Sequence, residues 1–322
     1  MKIFITGGAG FIGSHLTERL VSEGYEVSIF DNLHRNAIKY SEILNNPKVT
    51  FTQGDILDVE ALSKAMKGTD VVMHLAAIAG VSNYYNFPAK TLRVNLIGTY
   101  NVIECMRELG IKRMFDMSTS ETFGVEAVEV DENSYHSIGP AQDKRWCYAG
   151  SKIGGEQLIF RYAEEYGWDA TVIRPFNIYG PRQIGEGAVA NFCKNILDGK
   201  NLRIEGSGMA IRSWCYVTDF VEALILILKN QHKGPEAFNV GNPWAIASTV
   251  SLGEEVIRAG KNIDSLEVKS AIDFVKMDFT EIKVRYPKVD KLMNMYGWQP
   301  KVNLFDGVFN TLKWFTEKYE KN

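Results

Sequence analysis

The chain has 322 residues, of which 45% are hydrophobic and 23% are charged, and its formal net charge is −3. This balance predicts an ordinary globular protein with one large domain or two closely fused ones, and it gives no charge-based reason to expect binding to nucleic acid or to an anionic membrane. No apolar run is long enough to cross a membrane and no apolar leader precedes the first predicted strand, so we expect a cytoplasmic protein. The 4 cysteines and 5 histidines lack metal-ligand spacing, and we therefore expect free thiols and no metal.

The first half of the chain alternates short apolar strands with amphipathic helices. The predicted strands are 2–6, 26–30, 49–53, 71–75, 113–117 and 170–174, and the predicted helices are 13–23, 59–66, 90–109 and 148–166. This alternation predicts an α/β fold with a Rossmann-type doubly wound parallel sheet, because parallel strands need helical crossovers. After Pro175, glycine and proline divide the chain into shorter pieces. We therefore predict a cofactor-binding Rossmann domain over residues 1–175 and a smaller mixed α/β substrate-binding part over 176–322, with some segments returning to the sheet.

A glycine turn joins the first predicted strand to the first predicted helix. Gly7 permits a tight turn, Gly10 permits the backbone to approach a pyrophosphate, and Gly13 permits close packing of helix and strand. The helix N-terminus offers its unpaired N–H groups to the anion. The spacing differs from the common G-x-G-x-x-G pattern, and glycine turns before helices also occur without a ligand, so this segment alone leaves both interpretations open.

The end of the second predicted strand favours a dinucleotide. Asp31 follows Gly13 at the distance where an acid binds the adenosine ribose hydroxyls. An acid at this position disfavours the extra phosphate of NADP, so we expect NAD, although the nearby Arg35 leaves NADP as an alternative.

Two further clusters carry candidate chemistry. Residues 118–124 read STSETFG directly after a predicted strand, which places them beside the expected nicotinamide position, and the alternative is a capping box of Ser118 and Glu121. Tyr148 and Lys152 lie four residues apart and so share one helix face. A lysine ammonium there would lower the pKa of the Tyr148 phenol and make it a usable base. The alternative for this pair is a solvated lysine beside a core aromatic ring.

With these clusters in place, the sequence resembles the extended short-chain dehydrogenase/reductases, specifically the NAD-dependent nucleotide-sugar epimerase/dehydratase family, over essentially its whole length. The resemblance rests on motifs that occur in one order: TGGAGFIG at 6–13, HLAA at 74–77, STSETFG at 118–124, YAGSK at 148–152, RPFNIYGPRQ at 174–183, IRSWCYVTD at 211–219, FNVGNP at 238–243 and GWQP at 297–300.

The resemblance implies NAD as the cofactor and a nucleotide-diphosphate sugar as the substrate. It implies that Tyr148 takes the proton of the sugar 4-hydroxyl while hydride passes from C4 to NAD, that Lys152 holds the nicotinamide ribose, and that Thr119 shares the hydrogen bond to the reacting oxygen. The implied cofactor-binding residues are Gly7, Gly10, Phe11, Ile12, Gly13, Asp31, Asn32, Asp55, Ile56, Leu75, Ala76, Ala77, Asn95, Tyr148 and Lys152.

Substrate contacts are implied at fewer positions. Asn177 and Arg212 are expected to contact the diphosphate, and Arg285 is expected near the nucleotide. Ser120 and Ser82 are expected in the sugar pocket, with Asn83 or Tyr84 as alternatives to Ser82. The sequence does not distinguish UDP, GDP, CDP and dTDP sugars.

The fate of the 4-keto sugar is open among several reactions. Similar 4,6-dehydratases commonly have Thr-Asp-Glu, in which the Asp protonates the leaving hydroxyl and the Glu removes the C5 proton, whereas this chain has Thr119-Ser120-Glu121. We rank 4,6-dehydration first, with Glu121 as the base, followed by 4-epimerisation, UDP-glucuronate-type decarboxylation and C4 dehydrogenation. A redox-sensing regulator that binds NAD without turnover is the alternative from a different class, and the presence of Thr119, Tyr148 and Lys152 argues against it.

The predicted helices 90–109 and 148–166 have wide apolar stripes. In similar enzymes these two helices form a dimer interface, so we predict a homodimer or a dimer of dimers.

Overall fold

The computed structural model describes residues 1–230, 232–277 and 280–319. Its strands are β1 Lys2–Thr6, β2 Glu26–Asp31, β3 Val49–Gln53, β4 Val71–His74, β5 Arg113–Met117, β6 Glu126–Val130, β7 Asp169–Pro175, β8 Ile178–Tyr179, β9 Leu202–Glu205, β10 Ile211–Ser213, β11 Cys215–Tyr216, β12 Glu236–Val240, β13 Ile246–Ser248, β14 Ile272–Val275 and β15 Val284–Pro287. Its α-helices are α1 Phe11–Ser22, α2 Val59–Met66, α3 Val81–Asn86, α4 Pro88–Leu92, α5 Gly98–Leu109, α6 Cys147–Tyr166, α7 Ala188–Leu197, α8 Val217–Lys229, α9 Thr249–Lys261, α10 Asp290–Tyr296 and α11 Leu304–Lys318.

Seven strands form one central sheet in the order β12-β7-β5-β4-β1-β2-β3, and every neighbouring pair is parallel. The predicted Rossmann-type doubly wound sheet is therefore confirmed. The strand order reverses beside β1, so the carboxyl ends of β1 and β4 border the crevice where such sheets bind ligands. β12, from the second half of the chain, forms one edge of this sheet.

Alternating side chains of the central strands pack into two cores on opposite faces of the sheet. On β1, Ile3 and Ile5 pack with α1 and α8, whereas Phe4 between them packs with residues of α2, α5 and α6. The period of two along the strand produces this division. The sheet is thus covered by helices on both faces, as a parallel sheet requires.

The smaller part of the molecule contains a four-stranded sheet in the order β13-β10-β15-β6 and two strand pairs, β11 with β8 and β14 with β9. A third core fills the space between α7, α9 and α11 with residues such as Phe192, Leu252 and Phe315. β6 precedes residue 175 in sequence yet pairs with β15. The smaller sheet is therefore built from both halves of the chain, and it carries Arg212 on β10 and Arg285 on β15 towards the end of β5.

The predicted helix 90–109 has a more complex form. The chain is helical from Pro88 to Leu109, but residues Arg93–Ile97 form a π-helical segment between α4 and α5. Such segments are frequent at functional sites. Here the segment contains Asn95, which is buried against the loop after β4.

Candidate active site

The glycine turn after β1 is packed as tightly as its sequence predicts. Gly7 has a φ of 72°, and a Cβ there would lie 2.6 Å from the Ala76 nitrogen. A Cβ on Gly13 would lie 2.5 Å from the Gly7 oxygen. Larger side chains at these two positions would push α1 away from the sheet, so the turn keeps the N-terminus of α1 directed at the space above β1.

A cavity of about 350 Å³ extends along the carboxyl ends of β1, β2, β4 and β5. It is lined by all but one of the residues predicted to bind the cofactor: Gly7, Gly10, Phe11, Ile12, Gly13, Asp31, Asn32, Asp55, Ile56, Leu75, Ala76, Ala77, Tyr148 and Lys152. The elongated cavity, the glycine turn at its centre and Asp31 at one end fit a dinucleotide.

Asn95 is the predicted cofactor-binding residue that does not line the cavity. Its amide is buried, accepts a hydrogen bond from the Ile78 nitrogen at 2.7 Å and donates one to the Ile78 oxygen at 3.0 Å. The side chain therefore fixes the loop that follows β4, including the cavity residues Ala76 and Ala77, from behind the cavity wall.

Asp31 lines the cavity at the carboxyl end of β2. Its carboxylate accepts hydrogen bonds from the backbone nitrogens of Ala9 and Leu33, at 3.0 and 2.7 Å. The nearby Arg35 donates to the Ala79 oxygen at 3.0 Å. The Asp31 carboxylate is held in place, and the Arg35 guanidinium already has a hydrogen-bond partner. This arrangement favours the ribose hydroxyls of NAD over the extra ribose phosphate of NADP.

Thr119, Tyr148 and Lys152 come together at the carboxyl end of β5. Thr119 caps the short 3₁₀ helix Ser120–Phe123, accepts a hydrogen bond from the Glu121 nitrogen at 3.1 Å, and lies close enough to the Tyr148 phenol to lower its pKa. Tyr148 and Lys152 lie one turn apart in α6, and Lys152 is buried with its Nζ donating to the Met117 oxygen at 2.5 Å. The predicted phenol and ammonium groups therefore line one end of the cavity, and Thr119 directly follows the lining residue Ser118.

The predicted lowering of the Tyr148 pKa is wrong for this structure. Burial, followed by the negative charge of Glu121, raises the pKa of Tyr148 above its usual value, while the hydrogen bond with Thr119 lowers it to a smaller extent. Burial also lowers the pKa of Lys152, whose ammonium is directed at a backbone carbonyl. The sequence alone does not show that the Glu121 carboxylate lies near Tyr148, because the position of Glu121 depends on the 3₁₀ turn after Thr119.

Glu121 is held between arginines from two separate segments. Arg145 Nη1 lies 2.5 Å from one carboxylate oxygen, and Arg285 Nη2 lies 3.6 Å from the other. Burial alone would raise the pKa of Glu121, but Arg145 and Arg285 together hold it below its usual value. Glu121 is consequently an ionised and weakly basic group at this site.

Arg285 and Arg212 complete a cationic cluster around Glu121. Arg285 is buried, and its Nε and Nη1 atoms have no hydrogen-bond partner in the part of the chain that the structure describes. Arg212 donates to the backbone oxygens of Ile211 and Ile282, and burial together with the charge of Arg285 lowers its pKa to about 9. Buried polar atoms usually have hydrogen-bond partners. The two unpartnered donors of Arg285 are therefore available to an anion.

The remaining predicted substrate residues are dispersed. Ser82 is exposed and donates a hydrogen bond to Glu186, which also lines the cofactor cavity. Asn177 has a φ of 41° and donates to the Ser213 oxygen at 2.8 Å. Ser120 is buried in the turn beside Thr119. The described contacts do not bring Ser82 and Asn177 to the same point as Arg285.

Sequence reasoning overlooked Arg145. Its guanidinium lies on Glu121, yet in sequence it belongs to a polar loop that precedes α6. The available signal was its spacing, three residues before Tyr148, which places it on the entry turn of the same helix.

The fold, the dinucleotide cavity and the phenol–lysine pair define an NAD-dependent enzyme of the short-chain dehydrogenase/reductase type. Comparison with known families agrees: a family model described as the NAD dependent epimerase/dehydratase family matches residues 3–241. The chain belongs to this family. Membership in an enzyme family gives no support to the alternative of a regulator without turnover.

Individual relatives span several reactions. The chain is 34% identical to a UDP-N-acetyl-alpha-D-glucosaminuronate decarboxylase of Bacillus cytotoxicus, over 98% of both chains. It is 32% identical to the human dTDP-D-glucose 4,6-dehydratase, over 99% of this chain and 91% of the relative. A crystal structure of UDP-glucuronic acid 4-epimerase from Bacillus cereus, in complex with UDP-glucuronic acid and NAD, has a TM-score of 0.88 at 26% identity and covers 99% of this chain and 100% of its own. These similarities establish an NAD-dependent enzyme that modifies nucleotide sugars.

The structure describes no helix long and apolar enough to span a membrane. Within the described residues, no group of three or more His, Cys, Asp or Glu side chains is arranged to hold a metal ion.

Proposed function

We propose that this protein oxidises C4 of a nucleotide-linked hexuronate and releases the C6 carboxylate as carbon dioxide. The proposal reverses the ranking made from the sequence, in which 4,6-dehydration came first. Two of the three proteins described above are named for uronate substrates, one as a decarboxylase and one as a 4-epimerase.

The observation that carries the proposal is the pair of unpartnered donors on buried Arg285. The cluster contains three guanidinium groups, Arg145, Arg212 and Arg285, and two carboxylates, Glu121 and Glu281, lie near them. One positive charge is therefore left over, and Arg285 has donors on two nitrogens, Nε and Nη1, that no described protein group accepts from. In this proposal Arg285, which the resemblance placed near the nucleotide, binds the C6 carboxylate, while Asn177 and Arg212 remain the candidates for the diphosphate.

The chemistry of carbon dioxide loss matches what the residues can supply. Once C4 is a ketone, C6 is the carboxyl carbon of a β-keto acid, so the electrons of the C5–C6 bond can move to the C4 oxygen as carbon dioxide leaves. In our proposal Thr119 and Tyr148 donate hydrogen bonds to the oxygen that develops negative charge. A proton then adds to C5. NAD, when bound, accepts the C4 hydride in the first step and returns it to C4 in the last.

Glu121 fits this reaction better than it fits dehydration. Dehydration requires Glu121 to remove the C5 proton, and a carboxylate with a lowered pKa is a poor base. Decarboxylation requires no base at C5. In our proposal the role of Glu121 is to hold Arg145 and Arg285 in place beside the substrate carboxylate.

A second candidate is 4-epimerisation of the same uronate. It is favoured by the similarity to the UDP-glucuronic acid 4-epimerase, and the same arginine cluster would bind the carboxylate without releasing it. The two candidates differ in whether the C5–C6 bond breaks, so the product separates them.

The test is mass spectrometry of the products from a panel of UDP-, GDP-, CDP- and dTDP-linked hexoses and hexuronates, in deuterated water. We expect the uronates alone to react, with loss of carbon dioxide and one deuterium at C5. Loss of water from a neutral hexose would establish dehydration instead. An unchanged mass with an inverted C4 would establish epimerisation, and loss of two hydrogens would establish C4 dehydrogenation.

An Arg285→Met variant tests the carboxylate site directly. We expect kcat/KM for the reactive hexuronate to fall about 100-fold, because a buried charge pair is lost. Arg258→Met, which removes an exposed arginine from α9, is the matched control and should leave the rate unchanged. An Arg285→Met variant with normal activity would contradict the proposal.

We also propose that the chain forms a homodimer through α4, α5 and α6. Leu92, Ile97 and Tyr100 lie along this helical stretch with 39, 46 and 41% of their surfaces exposed. Light scattering should give the mass of a dimer, or of a dimer of dimers, and Tyr100→Glu should shift it towards the monomer. A monomeric wild-type protein at micromolar concentration would rule the dimer out.

A further inference from the structure

A buried tyrosine lies directly against the partly buried Tyr148. Tyr84 belongs to the short helix α3 and is 1% exposed. Its ring is stacked on the Tyr148 ring, with the centroids 5.8 Å apart and an angle of 12° between the planes. The backbone of Tyr84 is fixed from the same side, since the Cys147 thiol, next to Tyr148, donates to the Tyr84 oxygen at 3.9 Å.

The hydroxyl of Tyr84 belongs to the charged cluster. It donates to a Glu121 oxygen at 3.5 Å and accepts a hydrogen bond from Arg145 Nη1 at 3.2 Å. The Arg145 guanidinium also lies 5.2 Å from the centre of the Tyr84 ring, within the range of a cation–π contact. Burial and the charge of Glu121 raise the pKa of Tyr84, so the hydroxyl stays protonated.

Tyr84 therefore touches both functional groups of the site, with its ring on the phenol that acts at C4 and its hydroxyl on the Glu121–Arg145 pair. Proton transfer depends steeply on the position of the base, and a shift of about 1 Å can cost about 100-fold in rate. A buried phenol without a stacked neighbour has room to rotate, and the hydrogen bond between Tyr148 and Thr119 depends on its orientation.

We infer that Tyr84 is a positioning residue whose stacked ring holds Tyr148 in line for proton transfer at C4, while its hydroxyl orients the Glu121–Arg145 pair beside the substrate. The inference rests on the proposed oxidation at C4, but it does not depend on which reaction follows. It predicts that the ring and the hydroxyl of Tyr84 have separable effects.

Three substitutions separate the two effects. Tyr84→Phe keeps the stacked ring and removes the hydroxyl, whereas Tyr84→Leu removes both. Tyr135→Leu is the matched control, because Tyr135 is 95% exposed. The readout is the rate of formation of enzyme-bound NADH after mixing the NAD-loaded protein with the reactive nucleotide sugar, together with KM and the pH dependence of that rate.

For Tyr84→Leu we expect NADH formation to slow about 10- to 100-fold, with its pH profile moved to higher pH because the Tyr148–Thr119 hydrogen bond is weakened. For Tyr84→Phe we expect a nearly normal rate of NADH formation and a KM raised about tenfold, because one hydrogen bond to a charged pair is lost. Tyr135→Leu should behave as the wild type. If Tyr84→Leu fails to bind NAD, Tyr84→Met takes its place, because methionine has a similar volume without a ring but a longer and more adaptable side chain.

Normal NADH formation and an unmoved pH profile in Tyr84→Leu or Tyr84→Met would overturn the inference, as would a Tyr84→Phe variant as slow as the leucine variant. Tyr148→Phe distinguishes this failure from that of the proposed function. If Tyr148→Phe still forms NADH at the normal rate, the oxidation mechanism itself is wrong. If it does not, and Tyr84→Leu does, the positioning role alone fails.

Discussion

Arg174 on β7 and Glu156 on α6 form a buried ion pair directly behind the strand end that carries Thr119. Arg174 Nη2 lies 2.7 Å from one Glu156 oxygen and its Nε lies 3.1 Å from the other, and both side chains are almost fully buried. Ser118, next to Thr119, donates to the same carboxylate. The pair thus ties the helix of Tyr148 and Lys152 to the strand end of Thr119.

Breaking this pair should destabilise the protein strongly. In Arg174→Met, Glu156 would remain buried without its guanidinium partner, and we expect the free energy of unfolding to fall by about 3–5 kcal/mol. Urea denaturation followed by circular dichroism measures the change. The double variant Arg174→Met/Glu156→Leu, which removes both charges, should recover much of the loss. A single variant as stable as the wild type would show that the pair contributes little.

Gly13 offers a test of the cofactor turn. In Gly13→Ala the new Cβ would lie 2.5 Å from the Gly7 oxygen, so α1 must move. The N–H groups at the start of α1 would then no longer be directed at the pyrophosphate. We expect NAD affinity, measured by calorimetry, to fall about tenfold or more, which corresponds to a loss of about 1.4 kcal/mol of binding free energy. Gly155→Ala is the control inside a helix, because its Cβ would meet Thr99 only at 3.6 Å. Equal NAD affinities in the two variants would contradict this account of the turn.

The sequence predicted the sheet, and it selected residues that line one cavity, because both follow from local pattern. Alternating strands and helices determine the doubly wound topology, and the glycines lie at a strand end whose position that topology sets. The arginine cluster was predicted less well. Arg145, Arg212 and Arg285 come from three distant segments, and their convergence on Glu121 depends on the pairing of β10, β15 and β6. No short motif encodes such a contact, so the sequence alone favours Glu121 as a base.

The pH dependence of C4 oxidation follows from the environment of Tyr148. Because burial and Glu121 raise the Tyr148 pKa, the phenolate form that accepts the proton becomes more populated as pH rises from neutral into the alkaline range. We expect the rate of NADH formation in a single turnover to increase with pH across this range. Tyr148→Phe should remove both the activity and its pH dependence. A rate that declines from pH 7 upward would show that a different group accepts the proton.

Glu121→Gln separates the two roles considered for this residue. If Glu121 removes the C5 proton, the variant should lose solvent deuterium incorporation at C5 while still forming NADH. If Glu121 instead holds the arginines, C5 labelling per turnover should persist, and the main effects should be a raised KM and a lower stability. The free energy of unfolding should fall by about 3 kcal/mol, because two buried guanidinium groups lose their carboxylate.

The pH dependence of stability gives an independent check of the same variant. The folded-state pKa of Glu121 is lowered from its usual value of 4.5. Its contribution is therefore complete above that value and is lost as the pH falls towards the lower folded-state pKa. In urea unfolding between neutral and acidic pH, the free energy of unfolding of the wild type should approach that of Glu121→Gln as the pH falls below about 4.5. A constant difference in the free energy of unfolding would mean that Glu121 is not held as an ion by Arg145 and Arg285.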